Sequence, residues 1–224
     1  MARMLKRKEL SHSAELSTRD RILEASRTLF NRNGVQGTAL FRIASHLSIS
    51  PGNLTYHFAS KSDLVRELAV DLERQIVGTL NQLTSPLHPR EVLSAVEENL
   101  QTMWSARFFF NSALFVSKMD KDLAKKFQQV YNALCTDLHD YLEKLIARRE
   151  MKAPPGPDGI RLLSDNVVAV WLQWLRLQAI STPDAVNASK SAIGTCLRHH
   201  FALMAPYMSR GFTEAIWEEI EKRY

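Results

Sequence analysis

Apolar residues recur along this chain at intervals of three and four over nearly its whole length. Ile22, Leu23, Ala25, Leu29 and Phe30 form the first such stripe, and Asn33-Gly34 ends it, because glycine readily takes the left-handed conformation that closes a helix. Ser17, with Asp20 three residues on, has the form of a capping box and sets the start of this helix. A second, short helix carries Leu40, Ile43, Ala44 and Leu47, with Thr38 as its cap. Ser48-Ile49 makes a tight connection. Ser50 caps a third helix, and Pro51 sits in its first turn, where a missing N–H costs nothing. Leu54 and Phe58 lie four apart on one face of it. Ser60-Lys61-Ser62-Asp63 is a second capping box and opens a long helix over about 61–83.

After Ser85-Pro86 the pattern predicts helices over 89–105, 107–119 and 121–149, broken near Ala106 and Asp120. The longest bears Phe127, Val130, Tyr131, Leu134, Leu138, Tyr141, Leu142 and Leu145 as one stripe. MKAPPGPDG, residues 151–159, is a loop. Two strongly apolar helices follow, about 160–181 and 184–205, and a short amphipathic one at about 212–223. The fold class is all-α, since the best helix formers dominate and Gly and Pro, at 8 each, are too few for a loop-rich β fold.

Composition narrows this further. No apolar run is long enough to cross a membrane, and the basic start MARMLKRKELSHS is not followed by the apolar core of a secretory signal. Cys135 and Cys196 make no disulfide framework, so a reducing cytoplasm is the expected location. The net charge of +5 is unevenly placed: residues 1–65 hold ten Lys and Arg against five Asp and Glu, and residues 66–224 hold nineteen of each. A basic end on a neutral body points to a polyanion as partner of that end, or to a solvated basic tail in the case of residues 3–8. The expected division is a basic arm, 1–16, a small helical unit that carries the rest of the excess charge, 17–65, and a larger neutral helical unit, 66–224.

The second and third helices fit a helix-turn-helix. Ala44 is small enough for the two helices to approach, Ile49 plugs the turn, and Leu54 and Phe58 anchor the second helix. Asn53, Thr55, Tyr56 and His57 then face outward, with Gly52 close to the surface, and the N-terminal end of this helix is offered to a groove.

Thr18, Ile22-Leu23-Glu24-Ala25, Leu29-Phe30, Gly34, Thr38, Ile43-Ala44, Ser50 to Phe58, Lys61 and Asp63-Leu64 together resemble the TetR family of bacterial transcriptional regulators, over about residues 17–66. The resemblance implies a homodimer with a helical C-terminal domain that binds a small ligand. It implies that Tyr56 and His57 touch phosphates and adjacent bases, and that Lys61 contacts a phosphate beside a helix N-terminus. Asn53 and Thr55 are placed for base edges. Thr38 and Ser50 combine capping with backbone contacts, and Arg42 reaches a phosphate or a guanine. Two positions depart from the family habit. Phe41 stands where a polar residue is frequent, either packed inward or touching a thymine methyl, and Thr55 stands where an aromatic is frequent.

In the C-terminal part, Met103, Trp104, Phe108, Phe109, Phe115, Trp171 and Trp174 are the candidate lining of a ligand pocket, with Asn111 or Gln173 to orient the ligand. Any one of them also suits a plain core. The helices about 160–181 and 184–205 are apolar on more than one face; Val168, Trp171, Leu172 and Leu175 exceed the needs of one core, and the family uses these last helices for a twofold dimer. Cys135, His139 and Glu143, and separately Cys196, His199 and His200, lack a full ligand set, so no metal and no cofactor are expected. No catalytic motif is present. The reading is a homodimeric repressor with a double-stranded operator and a small-molecule effector as partners, not an enzyme. A family member that activates, or that answers to a protein partner, is the alternative. A helical enzyme or lipid carrier is the rival, against which the charge split and the helix-turn-helix speak.

Overall fold

A computed structural model describes residues 16–77, 79–80 and 88–224. Among these residues the regular elements are helices, joined by one isolated antiparallel bridge, Met151 to Met208. In chain order they are α1 (Thr18–Gly37), α2 (Leu40–His46), α3 (Pro51–His57), α4 (Lys61–Ile76), α5 (Pro89–Ser105), α6 (Arg107–Asn111), α7 (Ala113–Met119), α8 (Lys121–Ala147), α9 (Gly159–Ser181), α10 (Lys190–Met204) and α11 (Arg210–Arg223). The basic arm up to Glu15 and the Ser85-Pro86 break lie outside the described residues.

Local signals fix most ends. Ser17 accepts from the Asp20 N–H, and the Ser60–Asp63 box is complete in both directions. Gly34, at φ 72 and ψ 159, kinks α1 where the glycine stop is expected. That kink changes the role of Thr38. Its hydroxyl donates to the Gly34 carbonyl at 2.9 Å and the Leu29 carbonyl at 3.3 Å, so it closes α1 and does not cap α2. The N-cap of α2 is Ala39, without a side-chain bond.

Three expected spans are corrected. α4 ends at Ile76, where Val77 takes φ −59 and ψ 122. The 107–119 segment is two helices, because Ser112 leaves helical geometry at φ −99 and ψ 17. α10 begins at Lys190, capped by Ser189, and not near 184. The chain before it is held by Gln101, which donates to the Ala188 carbonyl at 3.2 Å and accepts from the Ala188 N–H at 3.3 Å.

α2 packs on α1 and on α3, and α4 passes from α1 to α8. α9 lies between α8 and α10, and α11 covers α5. That placement revises one reading of α9. Val168, Trp171 and Leu175 are fully buried within one chain, since α9 has a neighbour on each of two sides. The apolar core is continuous from Ile22 to Ile220, and the Phe30 and Phe108 rings, 5.5 Å apart, join its two ends.

Candidate nucleic-acid interface

The turn between α2 and α3 is closed by backbone bonds. The Ser48 N–H donates to the Ser45 carbonyl at 3.1 Å, and the Ile49 N–H to the Ala44 carbonyl at 3.0 Å. This is the paired closure of a Schellman motif, with Ser48 at φ 55 in the position glycine usually takes. It aims α3 away from α2. Ser50 then caps α3, accepting from the Asn53 N–H at 3.1 Å. Leu54 and Phe58 are buried, and Arg19 lies over the Phe58 ring at 5.0 Å while pairing with Glu67 at 3.0 Å. Phe58, which ends α3, is therefore braced by Arg19 of α1, itself tied to α4.

Its outer face carries Pro51, Gly52, Asn53, Thr55 and Tyr56, all exposed, with His57 half-buried. Tyr56 is 86% exposed, and its ring meets His57 edge to face at 5.3 Å. The Thr55 hydroxyl donates back to the Pro51 carbonyl at 3.1 Å and the Gly52 carbonyl at 3.2 Å. Its methyl and lone pairs remain for an incoming group. At Gly52 an added Cβ would meet nothing nearer than the Ser50 hydroxyl at 3.9 Å, so a side chain there would stand out into whatever approaches. Arg42 is exposed on α2, next to Phe41, which at 61% exposure is not packed inward.

Two expected contact residues are turned away from this face. Thr38 is fully buried with its hydroxyl engaged in α1. The Lys61 ammonium donates to the Val35 carbonyl at 2.8 Å and sits over the Phe115 ring at 5.9 Å. Burial lowers its pKa. The Val35 carbonyl that takes this lysine lies in the last turn of α1, a coupling across 26 residues that local spacing does not reveal. His46 is also exposed on α2, and the sequence reading passed over it.

The C-terminal candidates divide in the same way. Met103, Trp104, Phe108, Phe109, Trp171 and Trp174 are buried, and Phe115 is half-buried. Asn111 and Gln173 are exposed, and Asn111 lines a surface pocket together with Phe115. Other polar groups are inside: Asn99 Oδ1, Trp104 Nε1, the Tyr141 hydroxyl, Trp171 Nε1 and both ring nitrogens of His200 are buried without a partner among the described residues. His200 stacks on Trp171 with centroids 5.6 Å apart and planes at 11°. Its burial pushes its pKa down to about 3. His200 was legible only as one of a Cys-His-His group; its place on the apolar face of α10 was the missed signal.

Comparison with known proteins settles the family. The model described as "Bacterial regulatory proteins, tetR family" matches residues 22–68, and that of "TetR", a bacterial transcriptional repressor, matches residues 76–216. The chain belongs to the TetR family. Members of this family are DNA-binding regulators of transcription and not enzymes. The chain is 31% identical over 140 residues to the transcriptional regulator AcrR of Shigella flexneri, a match spanning 58% of this chain and 62% of that one. It is 24% identical over 182 residues to the regulator BetI of Vibrio vulnificus, covering 78% and 87%. The crystal structure of a TetR-family regulator from Marinobacter aquaeolei superposes with a TM-score of 0.77 at 25% identity, over 93% of this chain and 99% of that one. No helix among the described residues is long and apolar enough to cross a membrane.

Proposed function

We propose that this TetR-family chain is a homodimeric repressor that binds a palindromic operator and releases it when a small apolar or amphipathic ligand enters the C-terminal helices. In this reading residues 17–65 read DNA and 66–224 sense the ligand and dimerise. The observation that carries it is the outer face of α3. Asn53 and Tyr56 stand exposed at the N-terminal end of a short, well-anchored helix, in a basic part of the chain. Neither makes a hydrogen bond through its side chain to another described residue, so their donors and acceptors are available to base edges and phosphates.

Two further features support the finer points. α9 leaves Leu162, Leu177 and Ile180 exposed, with Ile180 at 73%, and a twofold partner would cover them. The unpartnered polar atoms around Trp171, His200 and Tyr141 lie in an apolar core, and an amphipathic ligand with a hydroxyl or carbonyl would satisfy them. A ligand that fits a second arrangement of the helices better shifts the population between DNA-bound and free forms.

Fluorescence anisotropy with palindromic DNA from beside the gene tests the reading. Asn53→Ala and Tyr56→Ala should each weaken binding by about 1–3 kcal/mol, and affinity should fall steeply with salt. Unchanged affinity in both variants would remove α3 from the interface.

A further inference from the structure

A cleft of about 480 Å³ separates α1 from the C-terminal helices. Arg27, Thr28 and Arg32 of α1 form one wall, and Pro183 to Asn187, between α9 and α10, form the other. At its base lies Arg107, the first residue of α6, which is only 4% exposed. Its guanidinium donates to three backbone carbonyls: Trp104 at 3.1 Å, Pro183 at 3.1 Å and Ala185 at 3.0 Å. It stacks on the Trp104 ring at 4.3 Å, and its Nε has no partner among the described residues.

No carboxylate among the described residues pairs with Arg107. The other two arginines of the cleft are matched, Arg27 by Asp71 and Arg32 by Asp184, each at 2.7 Å. A guanidinium keeps its proton in a protein, so a whole positive charge is buried here against neutral partners. Such a charge is costly until an anion reaches it. The cleft falls in the size range of small-molecule sites. Its outer wall offers apolar surface at Pro183, Ala185 and Val186, the last 82% exposed. Glu24 and Asp184 also line it and repel a polyanion.

We propose that this cleft binds a small organic monoanion, a carboxylate on an apolar body, with Arg107 as its charge partner. The apolar body lies along Pro183, Ala185 and Val186, and its far side touches α1. Because one wall is α1 and the other is the connection between α9 and α10, an occupant is in contact with both parts of the chain. The site shares no residue with α3 and stands whether or not the operator reading holds.

Calorimetric titration of the full chain with benzoate, phenylacetate and hexanoate, each beside its neutral amide, tests the assignment. At least one acid should bind roughly tenfold or more tightly than its amide, the difference expected between charge-assisted and neutral hydrogen bonds. Arg107→Gln keeps an amide donor and removes the charge, so it should abolish that preference. Thr28→Glu, on the exposed surface of α1, should weaken the acid by a similar factor through repulsion, and it holds the test open if Arg107→Gln does not fold. Equal binding of acid and amide, no binding of any of the three, or full acid binding in Thr28→Glu would each overturn the proposal.

Discussion

Ser48 holds a left-handed backbone, φ 55, in the turn that sets the direction of α3. For a residue with a Cβ that conformation costs about 1–2 kcal/mol. Glycine would relieve it, while the greater freedom of glycine in the unfolded chain would return about 0.5–1 kcal/mol. Ser48→Gly should therefore raise stability by about 0.5–1 kcal/mol in urea titration, with the same slope. His200 makes a second residue-scale prediction. Its folded pKa of about 3 lies below the ordinary 6.5, so the unfolded chain binds the proton first as pH falls. Stability is whole above pH 6.5 and declines from there toward 3. Between pH 7 and 5.5 the loss should be about 1–1.5 kcal/mol, and His200→Leu should flatten that part of the profile. The sequence displayed Asn53, Tyr56 and their anchors because caps and spacing are local. It hid the inward turn of Lys61 and Thr38, since both answer to carbonyls near the end of α1.

Asn31 shows how one element is joined to another. Its amide donates to the Ser105 carbonyl at 2.7 Å and its oxygen accepts from the Phe108 N–H at 2.9 Å. Those are backbone groups left open where α5 breaks into α6 at Ala106, so a side chain of α1 splices the break. Asn31→Ala should strand both and cost about 2–4 kcal/mol in denaturant titration. The breaks at Ala106 and Asp120 were legible because the apolar period slips there. The break at Ser112 was masked by the aromatic run Phe108 to Phe110, which suits one helix or two. The start of α10 was misplaced because Ala185, Val186 and Ala188 continue an apolar pattern without helical geometry.

For the whole molecule, the exposed apolar residues of α9 bear on assembly. On the proposed twofold assembly, Ile180→Glu with Leu177→Glu should shift the chain from dimer to monomer in sedimentation. Operator affinity should then drop by at least about tenfold, because the two half-sites are no longer bound together. Of the residues that made α9 look like an interface from sequence, Val168, Trp171 and Leu175 are interior and Leu172 is half-buried. Pattern alone cannot tell which of two apolar faces a neighbour within the chain already covers.

The uninterrupted core has a practical consequence. Ile22 and Phe30 belong to the same buried cluster as Phe108 and Trp104, and the ring of Phe30 rests on that of Phe108. Cutting the chain after α3 would bare this aromatic seam. The reading head is thus not a cassette to be transplanted onto another sensor at a loop. A chimaera with a new specificity has to carry α5 and α6 along with it, or have Phe30 and Asn31 redesigned to meet a foreign surface.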